Sequence, residues 1–141
     1  MLELVLIPVA VAIITQALKL IIDGIPNNFT WQSLLNNYGG MPSSHTAYVT
    51  ALTTAVWLRE GLDSTAFAIS LVLMLVVVRD AVGFRQEIGK NALLTNTLSQ
   101  QIFGNKAEAL TEQIGHTRAE VLVGFIVGFL LTIILHNLFF I

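Results

Sequence analysis

The chain has no cysteine and little charge. Without cysteine there is no disulfide framework and no thiolate metal site, and the redox compartment is unreadable. Asp, Glu, Lys and Arg make up 11% of the 141 residues, where soluble domains carry about 25%. The balance is 7 basic against 9 acidic residues, a formal −2, so the concentrated basic surface that a nucleic-acid partner requires is missing. Apolar residues take up the space: 55% are hydrophobic and the mean hydropathy is +0.76. This composition implies lipid as the surrounding solvent. The length suits one domain, so residues 1–141 read as a single membrane-embedded domain.

Four apolar stretches organise the chain. Leu2–Ile22 is 21 residues long, about 31 Å as a helix against about 30 Å of hydrocarbon. It lacks a basic leader and a small-x-small cleavage site, and its lysine, Lys19, is at the far end. It therefore reads as a retained helix rather than a signal peptide. The turn residues Asp23–Asn28 end it. Ser43–Leu58 contains Thr46, Thr50, Thr53 and Thr54, too polar to face lipid all round, and is expected among the other helices. Ser64–Phe84 and Ala119–Ile141 are the third and fourth stretches. Between them, Ile88, Ala92, Leu94, Leu98 and Ile102 recur mostly four apart, and Leu110 and Ile114 repeat the spacing. Arg85–Thr117 thus reads either as one or two amphipathic helices at the membrane surface or capping the bundle, or as a plain connector. The expected fold is all-α: an integral membrane bundle of about four transmembrane helices, with an amphipathic helix between the third and fourth. Gly124 and Gly128 form a small-xxx-small step that predicts close helix packing and is compatible with a homo-oligomer. Trp31, Tyr38, Trp57 and His136 read as interfacial anchors.

Four spans put both termini on one side. The other side then receives Lys19, His45, Arg79, Asp80, Arg85, His116, Arg118 and Glu120, against Glu3, Arg59, Glu60, Asp63 and His136 on the opposite face. Ionisable residues at membrane depth are costly and mark function by default. Lys19, Arg79, Arg85, Lys90, Lys106 and Arg118 share the site side with Arg59 alone opposing them, so the positive-inside rule predicts a site facing the cytoplasm, in the plasma membrane.

Three strings carry chemistry. In Gly39-Gly40-Met41-Pro42-Ser43-Ser44-His45-Thr46, glycines such as Gly40 let backbone amides approach an anion, and Pro42 suits a first helical turn. Ser43 and Ser44 then fall where unpaired amides and the positive dipole end favour phosphate, and His45 adds a titratable donor. A plain Gly-Pro-Ser helix start with a capping histidine has the same pattern. In Gly115-His116-Thr117-Arg118-Ala119-Glu120, the imidazole and carboxylate are four apart, placed by that spacing on one helical face. A carboxylate on one ring nitrogen fixes the tautomer and raises the basicity of the other, which suits His116 to attack phosphorus. A simple ion pair at a helix start is the competing reading. The pair could also bind a metal, but no further Cys or carboxylate cluster completes a cage. In Arg79-Asp80-Ala81-Val82-Gly83-Phe84-Arg85, the planar fork of Arg85 suits two phosphate oxygens. Asp80 needs a cation such as Arg85 or Lys19, and Arg79 reads as a snorkelling anchor. Lys19 is either a snorkelling residue or a phosphate ligand, with Gln16 on nearly the same face.

Gly-Gly-Met-Pro-Ser-Ser-His-Thr-Ala, Asp-Ala-x-Gly-Phe-Arg and Gly-His-Thr-x-x-Glu-Val, in that order, resemble the divergent type-2 phosphatidic acid phosphatase family, itself similar to acid phosphatases and vanadium-dependent haloperoxidases. The resemblance runs from the Gln16-x-x-Lys19 step to Gly124. It implies that Lys19 binds phosphate, Ser43 and Ser44 cradle it, His45 protonates the leaving oxygen, His116 is the nucleophile and Glu120 orients it. The broader superfamily pattern is incomplete: no Arg-Pro follows Lys19, Leu110 stands where the third motif has arginine, and Arg118 stands where proline is expected. Arg85 is then the source of the guanidinium. The function implied is a metal-independent lipid-phosphate phosphatase acting through phosphohistidine, needing no metal and no cofactor, with a lipid phosphate and membrane lipid as its partners and no nucleic acid. A carrier using the same cationic pocket without a nucleophile, and a non-catalytic assembly subunit docking through Arg85–Thr117, are the alternatives.

Overall fold

A computed structural model describes residues 1–23, 40–104, 109–110 and 116–140, and of Asp23 and Arg85 the backbone alone. Its helices are α1 (Glu3–Asp23), α2 (Ser44–Glu60), α3 (Thr65–Val82), α4 (Phe84–Phe103) and α5 (Arg118–Phe139), and the described residues contain no strand. Side-chain caps set the starts. Ser43 Oγ accepts from Thr46 N at 3.4 Å before α2, and Ser64 Oγ accepts from Phe67 N at 3.1 Å before α3. Each satisfies an amide that the first helical turn leaves without a partner. Pro42 was expected within that first turn. It lies before the cap instead, after a cis Met41–Pro42 bond, because Ser43 takes the extended conformation of an N-cap (φ −69°, ψ 108°).

Hydrogen bonds at the two ends fix the helix directions. At one end Ser43 N donates to Glu120 O (3.1 Å) and His116 N to Ala81 O (3.1 Å). The starts of α2 and α5 thus meet the end of α3. At the other end Glu3 forms an ion pair with Arg59 and lies 3.8 Å from His136 Nδ1. The start of α1 therefore meets the ends of α2 and α5, and α1 runs from there towards Lys19. Helices α1, α2, α3 and α5 thus alternate in direction.

Three described stretches are long and apolar enough to cross a membrane: Glu3–Ile22, a stretch from Thr65 that continues through α4 to Phe103, and Arg118–Phe139. The remaining member of the expected four, α2, is the central helix and packs against α1, α3 and α5. Its 17 residues carry four threonines, and surrounding helices supply what lipid cannot. Thr53 Oγ1 donates to Val49 O (2.9 Å) or Ser70 O (3.1 Å), and Thr50 Oγ1 lies 3.7 Å from Met74 Sδ. Ile7, Val11, Ala47 and Ala51 form the core, flanked by Leu131 and Leu135.

The glycine step on α5 meets α2. A Cβ on Gly124 would lie 2.5 Å from Ser43 O, and one on Gly128 would lie 2.5 Å from Ala47 O. Backbones this close tolerate no side chain, which is how a small-xxx-small seam works. The seam expected from sequence is thus formed within the chain. Beyond α3, the first part of the segment expected to be amphipathic lies in one continuous helix, α4, which ends at Phe103, with Ile88, Leu94, Leu98 and Ile102 exposed. Asn96 clasps the peptide of Leu110, donating to its carbonyl at 2.9 Å and accepting from its amide at 2.8 Å. Ile114, Trp31, Tyr38, Gly39 and Lys106 lie outside the described residues.

Candidate functional site

His116 is held from four directions. Its amide donates to Ala81 O at the end of α3, and its carbonyl accepts from Gln86 Nε2 of α4 at 2.8 Å. Its ring lies 6.4 Å, centre to centre, from that of His45 on α2, tilted by 53°. Its Nδ1 lies 3.0 Å from Glu120 Oε2 of α5. The residue is 2% exposed. A side chain fixed this way sits in one orientation before any ligand arrives.

The His116–Glu120 contact arises differently from the expected spacing on a helical face. His116 precedes the helix: Thr117 is the N-cap of α5 and Glu120 is the third residue inside it. Glu120 folds back to complete a capping box, in which Thr117 Oγ1 accepts from Glu120 N (3.3 Å) and Glu120 Oε2 accepts from Thr117 N (3.1 Å). The same oxygen receives His116 Nδ1. One carboxylate therefore terminates the helix and orients the imidazole. With Nδ1 donating to the carboxylate, Nε2 is the nitrogen that carries the lone pair of the neutral ring.

The start of α2 forms the facing wall. Ser43 is fully buried: its amide is taken by Glu120 O, and its hydroxyl faces Thr46 Oγ1 at 3.0 Å and caps Thr46 N. The expectation that the Ser43 amide cradles phosphate thus meets a competing bond within the protein. Ser44 and His45 follow as the first residues of the helix, where the amides have no acceptor in their own helix. His45 is exposed and Ser44 half-buried. Gly40 has φ +98°, a left-handed conformation that favours glycine, just before the helix.

Lys19 is 2% exposed at the end of α1, so protein encloses its ammonium rather than letting it snorkel to headgroups. Asp80 is half-buried near the end of α3, and Arg79 and Arg118 are exposed. Neither Lys19 nor Asp80 is without a partner. Arg85 is the second residue of α4, two past Gly83, and its side chain lies outside the described residues. Among the described residues no three His, Asp or Glu side chains converge as a metal-binding set. A cavity of about 570 Å³ opens beside His45 between α1, α2 and α3. Sequence reading passed over Thr117 and Gln86. The Thr117-x-x-Glu120 pattern was there to be read as a capping box, whereas nothing local marks Gln86 as the residue that holds the His116 carbonyl.

Apolar helices able to span a bilayer, a polar helix at their centre and a pair of imidazoles at one end define an all-helical membrane protein with a buried, carboxylate-oriented histidine. The chain belongs to the divergent PAP2 family, whose model matches residues 2–131. It is similar to the uncharacterized membrane protein YuiD of Bacillus subtilis (strain 168), with 38% identity across 92% of this chain and 91% of that one. No solved structure matches it. Membership relates the chain to phosphatases at a divergent distance.

Proposed function

We propose that the protein hydrolyses a lipid phosphate at the cytoplasmic face of the plasma membrane, through a phosphohistidine intermediate and without a metal. The observation that carries this reading is the facing pair of imidazoles, one of them fixed through Nδ1 by Glu120. A single phosphoryl group between the rings reaches both. His116 Nε2 attacks phosphorus and the bond from phosphorus to the leaving oxygen breaks, while protonated His45 gives its proton to that oxygen. Water then attacks phosphorus and gives a proton to His45. The phosphorus–nitrogen bond breaks and phosphate leaves. Glu120 stabilises the positive charge that His116 acquires. Lys19, Arg85 and the amides at Ser44 and His45 neutralise the phosphoryl oxygens in a water-poor setting. Ser43 shapes that wall, Gly40 lets the chain approach closely, and Asp80 balances the cationic residues.

The test is phosphate release from a panel of lipid phosphates in detergent, with and without vanadate, a mimic of the trigonal-bipyramidal transition state. Wild type should release phosphate and be inhibited by vanadate, and an acid-labile phosphoenzyme should be trapped. His116→Ala should retain the fold and lose both turnover and the trapped species. Undiminished turnover in that variant rejects the assignment, and binding without release by wild type favours a carrier.

A further inference from the structure

The cavity beside His45 has an unusual lining. Leu73 and Val77 of α3 form an apolar wall, and His45 and Ser44 lie at the phosphate level of α2. One turn deeper the lining includes two polar side chains, Gln16 of α1 and Tyr48 of α2. Gln16 is three residues before Lys19, about 4.5 Å along the helix, and Tyr48 four residues beyond Ser44, about 6 Å. Among the described residues neither Gln16 nor Tyr48 makes a side-chain hydrogen bond, and neither is among those with further interactions. Tyr48 is 41% exposed and Gln16 half-buried, so both can meet a ligand.

At membrane depth an unsatisfied polar group is expensive, because lipid tails offer no hydrogen bond. Thr53 of α2 shows the usual solution, bonding to neighbouring carbonyls. Gln16 and Tyr48 do not take it. Both line a groove continuous with the phosphate level and walled by apolar residues on the lipid-facing helix α3. An occupant that suits all three features carries a phosphate at one end, hydrogen-bond acceptors about one helical turn away, and a hydrocarbon chain beyond.

We infer that Gln16 and Tyr48 are specificity-determining residues that donate hydrogen bonds to the ester carbonyls of an acyl-ester lipid phosphate whose chains lie in the groove between α1 and α3. The inference rests on the lipid-phosphatase reading for the chemistry at His45 and His116, and adds to it what the site recognises below the phosphate. An isoprenoid phosphate has no carbonyl at that level and leaves both donors unmet. A site built to hydrogen-bond a substrate group discriminates against an analogue that lacks it.

The experiment compares a diacylglycerol phosphate with its dialkyl ether analogue, which differs only in lacking the carbonyls. Phosphate release is measured in mixed micelles, and binding of each lipid by native mass spectrometry, for wild type, Gln16→Leu, Tyr48→Phe and the double variant. Wild type should favour the ester over the ether by about tenfold, the size of two neutral hydrogen bonds. The double variant should bring that ratio close to one, with each single variant between. A ratio unchanged by the double variant overturns the inference while leaving the phosphatase reading intact. If wild type binds these lipids but releases no phosphate, the phosphatase reading fails, and the ester-to-ether binding ratio still decides the role of Gln16 and Tyr48. A change in oligomeric state with no change in lipid preference makes the groove a contact between copies of the chain, and also overturns the inference.

Discussion

The amide of Ser43 donates to the carbonyl oxygen of Glu120 at 3.1 Å, tying the N-cap of α2 to the first turn of α5. One of these residues precedes His45 by two positions and the other orients His116. The bond therefore fixes the spacing of the two imidazoles through the backbone. It forms because Gly124, one turn further along α5, has no side chain to hold Ser43 away.

Gly124→Ala tests that seam. The new Cβ would approach Ser43 O to 2.5 Å and Ser43 Cβ to 3.2 Å, and backbone cannot move aside as a flexible side chain does. Overpacking of this kind costs about 1–3 kcal/mol. Thermal unfolding in detergent should show the loss. Phosphate release per folded molecule should also fall, because the clash is at the wall that carries His45. Gly128→Ala, against Ala47 O at 2.5 Å, should cost similar stability without meeting Ser43, whose amide is bonded to Glu120 O. Its smaller effect on turnover separates seam packing from site geometry.

Glu120→Gln keeps an acceptor for Thr117 N and for His116 Nδ1 but removes the negative charge opposite the imidazole. The capping box should persist with a modest stability loss, within the range of about 0.5–2 kcal/mol seen for cap changes. Turnover should drop by about 10²–10⁴, the usual contribution of a positioned acid–base group. Glu120→Ala should lose both. Equal turnover in the Gln variant and wild type would make Glu120 a cap and nothing more.

The two roles of Glu120 show how much was legible in sequence. The ends of the four apolar helices were read to within about two residues, because Ser43, Ser64 and Thr117 stand where apolar runs begin and caps are local. The His116–Glu120 contact was expected from a spacing of four and exists, yet by another route: the carboxylate folds back across the N-cap. The Gly124 step announced close packing but not its partner. That α5 meets α2 at Ser43 and Ala47 depends on contacts some 80 residues apart in the chain, which periodicity does not encode. In the same way Glu3, Arg59 and His136 were placed on one face as separate residues, with His136 read as an interfacial anchor. Their clustering around Glu3 comes from the alternating helix directions. The centrality of α2 was foreshadowed by its threonines, since a helix too polar for lipid has to be surrounded by protein.

His45 has a role that leaving-group chemistry can isolate. As the proton donor to the departing oxygen, it matters most when that oxygen is strongly basic. His45→Ala should therefore slow release from an alkyl phosphate by about 10²–10⁴. An aryl phosphate with an acidic phenol needs little protonation and should be affected far less. His116→Ala should abolish both. The same loss on both substrates for His45→Ala would point to phosphate binding instead of proton transfer.

Glu3 is 7% exposed and meets Arg59 and His136 at the end of the bundle remote from the imidazoles. Arg59→Ala should lower the thermal midpoint by leaving a carboxylate enclosed without its main partner. Adding Glu3→Gln should recover part of the loss, because the stranded charge is gone. A double-mutant cycle measures the coupling. Phosphate release per folded molecule should be retained, since neither residue approaches the site. A Glu3→Gln, Arg59→Ala double variant no more stable than Arg59→Ala would mean that the pair is decorative.

Orientation has a clean test because the chain has no cysteine, so every introduced thiol is unique. Asp63 lies in the α2–α3 turn and Lys90 on α4 beyond the site end, and both are exposed. Basic residues concentrate on the site side, which the positive-inside rule assigns to the cytoplasm. In intact cells a membrane-impermeant maleimide should label Asp63→Cys at once and Lys90→Cys only after permeabilisation. The reverse pattern would put the imidazole pair on the outer face and supply its lipid phosphate from the opposite leaflet. Labelling of both in intact cells would show that the protein inserts in two orientations, in which case the asymmetry of basic residues serves the ligand rather than the topology.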